Sequence, residues 1–197
     1  MIMDTPPLAN ILGLLALISY ILTLFPTILR IVFPEVRQTS IPKILLKNRR
    51  HIGILAFFFA LVHGFLLVQK RNFDFLDLKT YWVYCQGVAT FTIFAILAIT
   101  SNDWSVKRLK KNWKKLHQLT YLAMFLLIWH ILDKMSGHWT YLTPIGMVTI
   151  TGITVLFLIR LWLERQNKQQ KANAKTSEIK TSEIKTSQTK LPTNNIK

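Results

Sequence analysis

The sequence predicts an all-α membrane protein: a bundle of five helical spans with the N-terminus outside and the C-terminus inside. Three observations carry that class. The 197 residues are 51% hydrophobic and only 17% charged, whereas a soluble domain carries about 25% charged residues. The apolar residues gather in five long uncharged runs. The charge has nearly one sign, 25 Lys+Arg against 9 Asp+Glu, for a net charge of +16. A soluble nucleic-acid binder spreads such an excess over a folded face. A disordered basic protein is poor in apolar residues. Neither matches, so the expected surroundings are a lipid bilayer and no nucleic-acid partner is expected.

The runs are residues 5–29, 51–69, 80–102, 116–132 and 139–159. A hydrocarbon core of about 30 Å takes about 20 helical residues, with roughly 17–25 workable. Backbone groups in lipid must be satisfied within the segment, so each run should be helical. The first run lacks a basic leading segment and a small-residue cleavage site, and reads as a retained span. Pro26 should kink it near its end, and Pro144 falls in the first turns of the fifth, where proline is tolerated.

Between runs one and two lie Arg30, Arg37, Lys43, Lys47, Arg49 and Arg50. Between runs three and four lie Lys107, Arg108, Lys110, Lys111, Lys114 and Lys115. If all five runs cross, these segments and the C-terminal tail share one side, which holds 21 of the 25 basic residues. The other side keeps Lys70, Arg71, Lys79 and Lys134, beside Asp74, Asp77 and Asp133. Basic loops stay on the cytoplasmic side, which sets the orientation. A multi-pass protein of a bacterial inner membrane is expected.

The tail is repetitive: Lys-Thr-Ser-Glu-Ile at 175–179 recurs at 180–184 and decays over 185–189. One apolar position in five builds no core, so disorder is expected from about residue 168. The alternative is a basic segment touching anionic lipid. The division expected is a membrane domain over 1–165 and a basic cytoplasmic tail over 166–197. The single cysteine, Cys85, forms no intrachain disulfide, zinc site or iron–sulfur cluster, which need several ligands.

The five histidines carry the chemistry. An ionisable side chain inside a membrane is a functional candidate, and neutral imidazole is a common ligand of metals and haem iron. His63 lies within run two and His130 toward the far end of run four. His117 opens run four, His51 opens run two, and His138 sits in a short outer loop. Runs two and four point the same way across the membrane. His63 follows Arg50 by 13 residues and His130 follows His117 by 13, so each step is about 20 Å along a helix. His63 and His130 therefore stand at one depth and suit the two axial positions of a haem iron. His117 lies one step inward, level with Arg49, Arg50 and His51, and is a candidate ligand for a second haem. Thirteen residues fall about 140° short of four turns. Tilt, a distorted first turn or haems on different sides of the helix must therefore accommodate His117. His51 is available as a sixth ligand but lies roughly 120° around the helix from His63. Arg49 and Arg50 suit haem propionates or simply set topology. Trp113 and Tyr121 suit an interface anchor or a haem neighbour, and Trp104, Trp139 and Trp162 an interfacial belt.

Two stretches resemble a known group. One is Arg49-Arg50-His51-Ile52-Gly53, continuing through Ala56-Phe57-Phe58-Phe59-Ala60 to His63. The other runs from Ala98-Ile99-Thr100-Ser101 through Arg108-Leu109 and Trp113-Lys114-Lys115-Leu116-His117, then Leu119 and Tyr121, to His130. Residues 45–135 resemble the ferric reductase-like transmembrane domain. The similarity is greatest to its short bacterial branch, the haem-binding subunits of the periplasmic methionine sulfoxide reductase system (the MsrQ or YedZ type). The resemblance implies a helical bundle holding b-type haem, with His63, His117 and His130 on the haem-ligand positions, and transmembrane electron flow. It implies electrons from a separate flavin (FMN or FAD) or quinol donor. It implies a periplasmic molybdenum reductase as acceptor or, as in ferric reductases, ferric iron. The chain departs from the pattern where Ile131-Leu132-Asp133 replaces an aromatic pair, and where His51 stands in place of an apolar residue.

The leading expectation is a haem b electron-transfer subunit with one or two haems. A histidine-lined proton or ion transporter is the alternative, but such proteins tend to carry carboxylates within the membrane, and here Asp and Glu read as loop and tail residues. A non-catalytic assembly protein is the third.

Overall fold

The computed structural model describes residues 7–70, 78–135 and 140–189. Every regular element among them is helical. Helix α1 is Leu8–Val32, followed by a 3-10 turn at Pro34–Gln38 and α2 at Ser40–Lys70. Helices α3 (Leu78–Ile99), α4 (Asp103–Leu109), α5 (Lys111–His117), α6 (Leu119–Met135) and α7 (Leu142–Thr189) complete the chain. Among the described residues five helical stretches are long and apolar enough to cross a membrane: Leu8–Val32, Ser40–Gln69, Tyr81–Ile99, Lys111–Asp133 and Leu142–Glu178.

Two compact units are present, residues 1–157 and 158–197. In the first, α1 packs along α2, α3 packs along α6, and α2 also meets α3. Helix α1 is the most enclosed. Ala16, Leu17, Tyr20, Ile21, Leu24 and Ile28 are buried on it, recurring at the three-to-four spacing of one helix face. Helix α2 turns the other way: Ile54, Leu55, Phe58, Leu61, Phe65 and Val68 are exposed. Large apolar side chains facing outward suit lipid, which solvates them without cost. In the second unit, Arg160 Nε donates to Glu164 Oε1 at 2.9 Å, one turn along the same helix.

Several boundaries move. The basic segment after α1 is a short turn followed by three helical turns, so Lys43, Lys47, Arg49 and Arg50 already belong to α2. Proline is tolerated there as well, at Pro42 in the first turn, where its missing N–H has no intrahelical partner in any case. Helix α1 continues past Pro26 to Val32. The basic segment after α3 is the α4–α5 pair. Lys110 separates them at φ 46° and ψ −114°, a conformation that a residue with a Cβ adopts only under strain. Residues 168–189, for which disorder is expected, are helical; Ala, Lys, Gln and Glu favour helix without help from packing. His138 and Trp139 lie outside the described residues.

Helix α4 starts at an N-cap. Asn102 Oδ1 accepts from the Ser105 amide at 2.7 Å, satisfying a first-turn donor. Asp103 follows at the positive end of the helix dipole, and Lys107 and Arg108 occupy the last turn. Asn102→Ala should cost about 1 kcal/mol, read as a lower melting temperature in detergent. Arg50 Nη2 donates to Asp103 Oδ1 at 2.6 Å, tying the early turns of α2 to α4. That hydrogen bond holds the Asp103 carboxyl below the usual carboxylate range. A lowered folded-state value means the stabilisation is present above the ordinary value and is lost as pH falls through the folded one. Both groups are exposed, so the effect is small. Asp103→Asn should melt slightly below the parent at neutral pH and level with it once acid has neutralised the carboxyl.

Candidate functional site

A cavity of about 490 Å³ opens among α1, α2, α3, α6 and the start of α7. Pockets that enclose small molecules and cofactors span roughly 300–1,000 Å³. Its walls are mainly apolar, with Leu14 and Leu17 from α1, Leu67 from α2 and Phe91 and Phe94 from α3. His63 from α2 and His130 from α6 both line it. The two histidines placed at one depth by the sequence thus share a single chamber.

His63 is half-buried, and its Nδ1 lies 2.6 Å from the carbonyl oxygen of Ala9. A carbonyl only accepts, so Nδ1 carries the proton and Nε2 of the neutral ring carries the lone pair. Beyond His130, α6 continues to Asp133, whose Oδ2 accepts from buried Gln86 Nε2 on α3 at 2.7 Å. Asp133, expected in a loop, lies in the final turns of α6, because the helix runs on past the apolar stretch.

The other candidates lie elsewhere. His117 ends α5, and its ring packs on Trp113 at 4.1 Å between centroids. Its Nε2 is 3.4 Å from Thr100 Oγ1, and Trp113 Nε1 donates to the Thr100 carbonyl at 3.0 Å. Helix α5 stops at His117, and α6 begins at Leu119, so the two histidines thirteen apart are not on one straight helix. Arg49 is half-buried, within electrostatic reach of Tyr20 and His117. Arg50 is engaged by Asp103. His51 is exposed, and none of His117, Arg49, Arg50 and His51 is on the cavity wall. Tyr121 stacks on Phe157 at 4.4 Å. Trp104 is 67% exposed with the Arg108 guanidinium 5.1 Å from its ring centroid, and Trp162 is exposed too.

Sequence reasoning missed Gly13, Gly87, Tyr20 and the Ala9 carbonyl. The two glycines did leave a signal, since an isolated glycine inside an apolar helix usually has a packing reason. The Ala9 carbonyl left none, because every residue has one.

The residues present fit an iron porphyrin. Among the described residues no group of three or more His, Cys, Asp or Glu gathers around one point. An ion held by side chains alone needs more ligands than two imidazoles, whereas a porphyrin brings four nitrogens and asks the protein only for axial ligands. Apolar walls, two imidazoles on different helices and a glycine beside each ring match that request.

This is a multi-pass helical membrane protein built around a two-histidine chamber, and it belongs to the family described as ferric reductase like transmembrane component, whose profile matches residues 12–128. The match takes in His63 and His117 and ends two residues before His130. The chain is also similar to the protein-methionine-sulfoxide reductase heme-binding subunit MsrQ of Brucella ovis, Brucella canis and Brucella suis. Each is 36% identical over 120 residues, covering 58% of this chain and 51% of the relative. The chain thus spans about half the length of the curated relatives it matches. Family and spans together make it an integral protein of the bacterial inner membrane.

Proposed function

We propose that this chain is a haem b-binding subunit that carries electrons across the membrane, with the haem in the chamber between His63 and His130. One observation carries the reading: two half-buried imidazoles from different helices line the same apolar cavity. When bound there, haem supplies a one-electron carrier in a low-dielectric site. The protein does the rest. His63 and His130 would hold the haem iron, and the Ala9 carbonyl fixes the tautomer of His63. The leucine and phenylalanine walls exclude water. The heme-binding role of the MsrQ relatives supports the same reading.

The finer assignments are proposals of the same kind. Residues 1–165 form the haem-binding domain and 166–197 a cytoplasmic tail. The N-terminus faces out, because 21 of the 25 basic residues then lie inside. A separate flavin or quinol donor supplies electrons, and a periplasmic methionine sulfoxide reductase receives them. Ferric iron is the competing acceptor.

The test is direct. The protein purified from haem-replete cells should be red, with a Soret band that shifts on dithionite reduction. A folded, colourless preparation overturns the reading. Haem-to-protein stoichiometry in His117→Ala then counts sites. A fall from the parent value marks a second haem beside Thr100 and Trp113, and an unchanged value leaves the chamber haem as the full complement. Membranes given a reduced flavin donor and either chelated external iron or the partner reductase distinguish the acceptors.

A further inference from the structure

Glycine inside a helix costs about 1 kcal/mol relative to alanine, so its presence in an apolar span asks for a reason. Gly13 in α1 and Gly87 in α3 each stand against a chamber histidine of the neighbouring helix. A methyl group built on Gly13 meets His63 Cε1 at 2.9 Å, Nδ1 at 3.0 Å and Nε2 at 3.5 Å. One built on Gly87 meets His130 Cε1 at 3.2 Å, Nδ1 at 3.7 Å and Nε2 at 4.0 Å. The order is the same at both places, with the Cε1 edge of the ring nearest the glycine and Nδ1 closer than Nε2. Gly64 and Gly152 have nothing comparable within 4 Å. The two contacts also fall on the two most extensively packed helix pairs, α1 with α2 and α3 with α6.

Gly13 carries a second consequence. Ala9 precedes it by one helical turn, so the Ala9 carbonyl points along α1 toward residue 13. His63 Nδ1 comes within 2.6 Å of that carbonyl. The ring gets there by lying across the patch of α1 that glycine leaves bare.

We propose that Gly13 and Gly87 are positioning residues for the two chamber imidazoles, each clearing the space in which the ring seats, and that Gly13 in addition opens the Ala9 carbonyl to His63. The proposal rests on the haem reading above. A ligand imidazole whose Nδ1–H is donated to a carbonyl is oriented and made more basic, which stabilises the oxidised iron. Alanine at position 13 pushes the ring off the carbonyl and reverses both effects. Alanine at position 87 displaces the His130 ring by a smaller amount, because the contact there is longer.

The experiment compares Gly13→Ala, Gly87→Ala and Gly152→Ala holoproteins with the parent, by low-spin ferric EPR and by potentiometric titration of the haem. Gly13→Ala should lose low-spin signal, and any signal retained should titrate at a higher midpoint. Gly87→Ala should shift the g values less, and Gly152→Ala should match the parent. Parent-like g values and midpoint in Gly13→Ala overturn the proposal.

A second readout needs no cofactor. In haem-free protein, Gly13→Ala should lower the melting temperature. In a His63→Ala background it should raise it, since glycine to alanine in a helix is favourable once the ring is gone. This sign reversal remains readable in the His63→Ala background if Gly13→Ala alone fails to fold. A lowering, or no change, in that background overturns the steric assignment. A parent that binds no haem defeats the functional reading, and the melting comparison still judges the glycine contact separately.

Discussion

His63→Ala and His130→Ala should each abolish the low-spin haem spectrum of the chamber. If the proposed pair holds the haem iron from different helices, losing either imidazole removes one of its two protein ligands. The walls offer no replacement imidazole or thiolate: apart from His63 and His130 they are mainly aliphatic, aromatic and glycine residues, with Asn10, Tyr84, Thr90, Thr140 and Thr143 the polar ones. The measurement is the ferric EPR spectrum together with the reduced-minus-oxidised optical difference. Retention of a parental low-spin signal in either variant rejects the pair. His51→Ala should leave that signal intact, because His51 is exposed on α2 and off the cavity wall.

Tyr20→Ala should be the most destabilising change that touches no imidazole. Tyr20 is 3% exposed. Its ring lies 5.1 Å from that of Phe94 on α3, and its hydroxyl donates to the Thr120 carbonyl on α6. One side chain of α1 thus joins three helices, and Phe94 is itself part of the cavity wall. Truncating a buried aromatic costs about 3–5 kcal/mol through lost contacts and the void left behind. Tyr20→Phe keeps the ring and gives up only the hydrogen bond, about 0.5–1.5 kcal/mol, or near the lower end within a membrane. Thermal melting in detergent should rank parent, Tyr20→Phe and Tyr20→Ala in that order. Haem retention should fall with Tyr20→Ala alone, because the wall behind Phe94 is then unsupported. Equal melting of all three proteins would show that the α1 contact carries no weight.

The legible part of this molecule was what one-dimensional composition dictates. Lipid demands long uncharged helices, so five apolar runs announced five spans, and the described residues hold five helical stretches able to cross. Equal counts from Arg50 to His63 and from His117 to His130 pointed to two histidines at one depth, and both line one cavity, although the second count crosses the break between α5 and α6. Their ends were less legible. The first turns of α2 carry Lys43, Lys47, Arg49 and Arg50, and charge reads as loop even where backbone hydrogen bonding continues. The same holds for Asp133 at the end of α6 and for the helical stretch beyond residue 168.

By itself the sequence determined the solvent and the number of apolar runs, and it singled out His63 and His130 as a pair. Those follow from hydropathy and helical rise, which are properties of each segment alone. Only the tertiary structure decided which way each ring turns and what it meets. It set His63 against Ala9 and Gly13, His130 against Gly87, and His117 against Trp113 and Thr100, away from the chamber. Rotation about a helix axis and the choice of packed neighbours depend on contacts between segments distant in sequence, such as the 54 residues between Ala9 and His63. No local pattern encodes those contacts.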